Sequence, residues 1–189
     1  IISRDDGGNP GDAIRAAEEL LTREDVDMMA GTFLSNIGLA VSEWANNREV
    51  VFLASEPLTD KLTWGEGNRY TFRLRPSTYM QTAMLMDAVE ESGAKRWALV
   101  YPNYEYGTSA AETFKQLLAE RVPDARIVAE QAPPLRKIDA GAVVQALADA
   151  EPDGIFNATF AGDLAQFVRE GNTRGLFEDV TVASLLTGE

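Results

Sequence analysis

Groups able to do covalent chemistry are scarce in this chain. It has no histidine and no cysteine in 189 residues, which removes the usual general base, the commonest metal ligand, thiol nucleophiles and zinc–thiolate sites. What remains is suited to holding a molecule rather than converting it. In "GTFLSNIG", Ser35 and Asn36 stand where a short apolar run turns into a helical pattern. Free backbone N–H groups and the helix dipole suit an anion there, and the serine hydroxyl adds a donor. Either residue could equally be an ordinary N-cap. The next such loop, "ASEPLT", offers Ser55, Glu56 and the amides around Leu58, or simply a polar turn punctuated by Pro57. Two later loops, "VYPNYEYG" and "NATFAGD", gather Tyr101, Tyr104, Tyr106, Phe160 and Asp163 at strand ends. Any single tyrosine could be packing on neighbouring helices. Together, an aromatic wall facing an anion-binding wall describes a closing pocket for a small organic acid.

Other motifs carry less. "DDGGNPGD" lacks the alternating carboxylate spacing and distal bidentate glutamate of a calcium loop, and reads as a strand-to-helix turn. Its Gly7, Gly8 and Gly11 miss the dinucleotide-binding G-x-G-x-x-G spacing. "GTSAAE" has no nucleophile elbow, and a serine hydrolase here would lack its base. No cofactor or metal site is expected, and no catalysis. An enzyme using Asp5, Asp6 or Glu105 would have to work without a paired-carboxylate motif.

The elements that must position these residues alternate regularly. Ala13, Ala16, Ala17, Leu20 and Leu21 lie at helical spacing after Pro10 and Asp12; "VDMMAG" follows as a buried strand. Ile37, Ala40, Val41, Trp44 and Ala45 give the next helical face, and "VVFLAS" another strand. The rhythm resumes with a helix over Thr78 to Glu91, the strand "RWALVY" and a helix carrying Ala110, Phe114, Leu117 and Leu118. It closes with "ARIVAEQ" (strand), "AGAVVQALADA" (helix), "DGIFNAT" (strand), "DLAQFVREGN" (helix) and "VTVASLL" (strand). Such alternation predicts an α/β fold of parallel sheets covered by helices on both faces. Pro57 to Gln81 breaks the rhythm with a glycine-rich turn and a short strand at Tyr70 to Leu74, which reads as a crossing between two lobes, 1–75 and 76–189.

Hydrophobic residues make up 45% of the chain, enough for a real core. A net charge of -13 without a basic run argues against nucleic acid or an anionic membrane surface as a partner. No uninterrupted apolar stretch is long enough to span a bilayer. The chain starts at Ile1 without a methionine and stops after an apolar run, so both ends read as cut from a longer polypeptide.

"DDGGNPGDAIRAAEELL" followed by "MMAGTFLSNIGLAVSEWANNREVVFLASEPLTDKLT" resembles the first lobe of type I periplasmic solute-binding proteins, in the branched-chain amino-acid transporter branch. "RWALVYPNYEYGTSAAETFKQLL" and "ADAEPDGIFNATFAGDLAQFVREGNTRGL" resemble the second lobe. The resemblance implies two Rossmann-like lobes and a periplasmic receptor, its signal peptide removed, that captures a small carboxylate-bearing solute and delivers it to an ABC permease. It places the ligand-carboxylate serine on Ser35, further donors on Ser55 to Leu58, the second-lobe aromatic on Tyr106 and a later aromatic on Phe160, with Tyr104 beside them. The same module could instead be the ligand-sensing domain of a signalling receptor.

The chain departs from the family in three respects. Leu58 stands where amino-acid binders place a threonine, and the acid that holds the ligand ammonium is replaced near Leu186, unless Glu189 supplies it. An unpaired ammonium in a desolvated cleft costs several kcal/mol, so an acid without an amine, aliphatic or aromatic, is the expected solute. The family's earlier strand and helix and its C-terminal return are also missing, so the expected fold is truncated at both ends.

Overall fold

A computed structural model describes residues 1–187. The chain divides into two compact units, Ile1–Thr78 and Tyr79–Glu189. In the first, α1 (Pro10–Arg23) begins with proline in its first turn and Asn9 as N-cap, whose side chain accepts the Asp12 amide at 3.0 Å. Then come β1 (Met28–Gly31), α2 (Ser35–Arg48), β2 (Val51–Ala54), a 3₁₀ turn (Asp60–Leu62) and β3 (Thr71–Arg73). The strands pair in parallel in the order β1-β2-β3, with Gly31 beside Ala54 and Ala54 beside Arg73. This register lines up the strand ends, so the loops after β1 and β2 leave the sheet together.

The strand periodicity decides which face is core. Met29, Phe52 and Ala54 point one way and are buried with Ala13 and Ala17 of α1 and Ile37, Val41, Trp44 and Ala45 of α2. Both helices therefore lie on one face. On the other, Met28, Val51 and Phe72 remain 50%, 38% and 55% exposed. Helices on both faces were expected; among the described residues of this unit, α1 and α2 pack together against one face.

The second unit meets that expectation in full. It contains α3 (Thr78–Ser92), β4 (Arg96–Val100), α4 (Glu105–Arg121), β5 (Arg126–Gln131), α5 (Ala140–Asp149), β6 (Gly154–Asn157), α6 (Ala161–Thr173) and β7 (Thr181–Ser184). Its parallel sheet has the order β5-β4-β6-β7. Ala98, Val100 and Ile155 pack under Val143, Val144 and Leu147 of α5 and Phe167 of α6. Elsewhere in this core, Phe114 of α4 stacks on Phe156 at 4.2 Å and meets Trp97 edge-on at 5.1 Å. Strands buried on both faces lose the polar alternation of a half-exposed sheet, and β4 and β6 are apolar almost throughout.

Candidate functional site

Helix starts sort the molecule's strand ends into two kinds. α1 and α5 have side-chain caps, Asn9 and Asp139, the latter accepting the Ala142 amide at 3.0 Å. α2, α4 and α6 have Leu34, Tyr104 and Phe160 in that position and no side-chain cap bond. An apolar or aromatic residue there leaves first-turn N–H groups without their usual acceptor. Ser35 is accordingly the first helical residue of α2 rather than its N-cap, with Asn36 next to it.

Around α2 the first unit builds an ordered cradle from main chain. Ser35 is 1% exposed, and its Oγ accepts the amides of Leu58 and Thr59, each at 3.2 Å. With both acceptor sites used, the serine proton is left to donate. The carbonyls of the same loop face Arg73. Its Nη1 donates to Pro57 and Leu58 at 3.4 and 3.5 Å, its Nη2 to Thr59 at 2.5 Å, and its Nε to Thr63 Oγ1 at 3.2 Å. Peptide units pulled by their oxygens toward Arg73 present their N–H edges toward Ser35. Burial lowers the Arg73 pKa from its ordinary value, while the nearby Asp60 charge raises it. Gly38 lets this loop approach α2, since a Cβ there would stand 2.4 Å from the Pro57 ring. Leu58 is buried with its side chain in this packing, and its carbonyl accepts the Thr78 amide at 2.8 Å.

Ser55 and Glu56 have more local duties. The Ser55 amide donates to Gly31 O at 3.1 Å and its hydroxyl to Thr32 O at 3.4 Å, which ties the first loop to the second. Glu56 pairs with Arg75 at 2.6 Å. The Asn36 Oδ1 and Thr32 Oγ1 atoms are buried without a hydrogen-bond partner among the described residues. Thr32 itself has φ of 62°. Non-glycine residues in left-handed conformation concentrate where function stores strain, and three others also follow strands: Arg136 at 63°, Ala161 at 50° and Leu186 at 53°.

In the second unit the sequence-predicted aromatics come together. Tyr104 and Tyr106 lie 5.9 Å apart by ring centroid, Tyr106 and Phe160 5.9 Å, and Tyr104 and Phe160 6.5 Å. The geometry is tilted or edge-on, as ring quadrupoles prefer. Gly107 explains the tight turn before Tyr106: a Cβ there would sit 1.9 Å from the Pro102 carbonyl oxygen. Tyr104 is pushed above the ordinary tyrosine pKa by burial, partly offset by the Arg136 charge. Tyr101 belongs to another cluster, donating to Glu130, which also takes Lys115 at 2.7 Å. Burial and that hydrogen bond push its phenol up too.

Two positioning residues, Arg73 and Asn157, escaped sequence reasoning, and the part played by Asp163 shows only in its contacts. Asn157, 2% exposed, accepts the Thr159 amide at 3.0 Å and its hydroxyl at 2.6 Å, and donates to Ser184 Oγ at 2.7 Å. That network locks the turn carrying Phe160. Asp163 accepts the Arg136 amide at 2.7 Å and so pins the β5–α5 loop. Leu186 occupies the position where an ammonium-binding acid was sought; Glu189, the alternative, lies outside the described residues. Among the described residues no group of acids could hold a metal ion, and no helix is long and apolar enough to cross a membrane. A cavity of about 160 Å³ between α1 and the first sheet, lined by Ala13, Ala17, Met29 and Phe52 among others, touches none of the predicted site residues.

A family model described as "Periplasmic binding protein" matches residues 1–189. The chain belongs to this family. It is 23% identical over 184 residues to the Leu/Ile/Val-binding protein homolog 7 of Brucella suis biovar 1 (strain 1330), covering 93% of this chain and 45% of that protein. Among solved structures it resembles the solute-binding protein of an ABC transporter from Rhodopseudomonas palustris BisB5 in complex with 3,4-dihydroxybenzoic acid (26% identity, TM-score 0.86, 97% of this chain and 50% of that one). It also resembles the amino acid ABC transporter substrate-binding protein from Pseudomonas fluorescens Pf-5 (25% identity, TM-score 0.82, 94% and 48%). The chain thus spans about half the length of these proteins. As a periplasmic binding protein by family, it is related to binding proteins of ABC transporters rather than to enzymes.

Proposed function

We propose that this chain is part of a periplasmic receptor that captures a small carboxylate-bearing solute, without an amine, for an ABC permease. The observation that carries this reading is the set of uncapped helix starts at α2, α4 and α6. The α2 start also has no acidic residue in its first turn, whereas α4 has Glu105 and α6 has Asp163. A carboxylate is therefore favoured at α2, where the helix dipole is uncompensated and the Ser35 proton is available to donate. The face built by Tyr104, Tyr106 and Phe160 covers the apolar body of the solute. Residues 1–75 are thus the carboxylate side and 76–189 the aromatic side. Ser35, Asn36, Ser55, Glu56 and Leu58 belong to the former, Tyr104, Tyr106 and Phe160 to the latter.

Ring-bearing walls and a leucine at position 186 favour an aromatic acid over an α-amino acid, and one related structure holds 3,4-dihydroxybenzoic acid. Calorimetric titration of the full chain with benzoate, 4-hydroxybenzoate and leucine tests this. Binding of the benzoates, weakened roughly ten-fold in Ser35→Ala, is the expected result. Leucine binding far more tightly than either would overturn it.

A further inference from the structure

Tyr104 and Phe160 reach the same face of the second unit from different strands, so something must fix the distance between them. Tyr104 follows β4 and Phe160 follows β6, and their rings meet edge-on at 6.5 Å. One tie between the two turns is the sheet itself, where the Ala158 amide donates to the Val100 carbonyl at 2.9 Å. The other is the β5–α5 loop, residues 132–139. In the order β5-β4-β6-β7, β4 separates β5 from β6. The loop nevertheless bonds to the turns on both. The Pro133 carbonyl accepts the Asn103 amide at 2.8 Å, immediately before Tyr104. Further along the loop, the Arg136 amide donates to Asp163 Oδ2 at 2.7 Å, in the first turn of the helix that Phe160 precedes. The loop therefore reaches past the end of β4 to join the two aromatic turns.

Its construction suits that task. Pro133 and Pro134 have a fixed φ. The Lys137 amide closes a turn on the Pro134 carbonyl at 3.0 Å, and Arg136 within that turn has φ of 63°. Pro133 is buried near one end, and Ile138 near the other is buried in the core with Val143, Val144 and Phe167. Asp163 is 5% exposed, so its bond to the Arg136 amide is shielded from water. A carboxylate accepting a backbone amide also belongs to the stronger, charge-assisted class of hydrogen bond.

We infer that the β5–α5 loop braces the aromatic face and that Asp163 is the positioning residue that holds the brace, so that preference for a ring-bearing acid depends on this carboxylate. This rests on the reading of Tyr104, Tyr106 and Phe160 as the cover for the solute's apolar body.

The test compares the full chain with Asp163→Asn and Asp163→Ala, each titrated calorimetrically with benzoate and with butyrate and each followed by amide hydrogen exchange. In Asp163→Ala the Arg136 and Asn103 amides should both exchange faster. Benzoate affinity should fall roughly ten-fold while butyrate affinity holds. Asparagine keeps the volume and one accepting oxygen, so Asp163→Asn should lie between the parent and alanine on both readouts, and it carries the comparison if the alanine variant does not fold. Faster exchange at Arg136 with Asn103 as protected as in the parent overturns the brace. Equal losses for benzoate and butyrate, or no loss for either, make Asp163 a stabilising residue only and overturn its positioning role. A parent protein that binds neither acid, or binds butyrate as tightly as benzoate, overturns the reading of the aromatic face beneath the inference and the inference with it.

Discussion

The two units use the same strand–helix grammar to opposite ends. At the strand ends of the first, main-chain amides are oriented by side chains: Arg73 takes the carbonyls of Pro57, Leu58 and Thr59, and Ser35 takes two amides. At the strand ends of the second, side chains themselves form the surface, with Tyr104, Tyr106 and Phe160 in mutual contact. The cores differ in parallel. The central strands β4 and β6 of the second sheet are buried on both faces, while the first sheet leaves Met28, Val51 and Phe72 exposed on one. On the proposed reading, polar recognition rests on a hydrogen-bonded frame and apolar recognition on a well-packed one. Each frame should therefore fail in its own way.

The largest effect should come from the second core. Phe156→Ala removes a fully buried ring stacked on Phe114 and should cost roughly 4 kcal/mol. Denaturant unfolding should show that loss in the transition of the second unit alone; an equal loss in both units would erase the distinction drawn here.

A smaller loss follows from disarming the polar frame. Arg73→Ala leaves three loop carbonyls without their charged donor and should cost about 2 kcal/mol, confined to the first unit. Hydrogen exchange at Leu58 and Thr59 should rise with it. Unaltered protection at those amides would mean that Arg73 does not orient the loop.

Ser35→Ala acts more gently on stability, about 1 kcal/mol, because the two hydrogen bonds it removes are between neutral groups, whereas those of Arg73 are charge-assisted. Its signature is selectivity: binding of carboxylates should fall while the aromatic cluster, followed by tyrosine fluorescence, stays as it is. A change in that fluorescence would show that the two frames are not independent.

The smallest effect is alkaline. Tyr104 is raised above its ordinary value of 10.0 by burial, with Arg136 opposing. Since the folded pKa exceeds the unfolded one, its contribution is complete below pH 10 and declines as pH rises toward the folded pKa. Difference absorbance of Tyr104→Phe against the parent should show no phenolate from this residue near pH 10. A phenolate forming there would place Tyr104 in solvent and dissolve the aromatic face.

Local periodicity carried most of the fold. The helical stripe through Ala13, Ala17 and Leu20 and the short apolar runs at Met28, Val51, Arg96 and Gly154 marked elements within a few residues of where they lie, because 3.6- and 2-residue repeats are properties of the chain itself. The convergence of Tyr104, Tyr106 and Phe160 was also legible, since parallel strands send all their following loops to one edge. Other features depended on distance in the sequence. Arg73 lies in a three-residue strand with no pattern to distinguish it, and its partners are 10 to 16 residues away. Asn157 finds Ser184, and Arg136 finds Asp163, each across 27 residues. Whether a helix start is capped and which face of a sheet is left bare are settled by how the strands and helices pack in three dimensions. Composition alone determined that the chain lacks imidazole and thiol chemistry, because no fold can supply a functional group absent from the sequence.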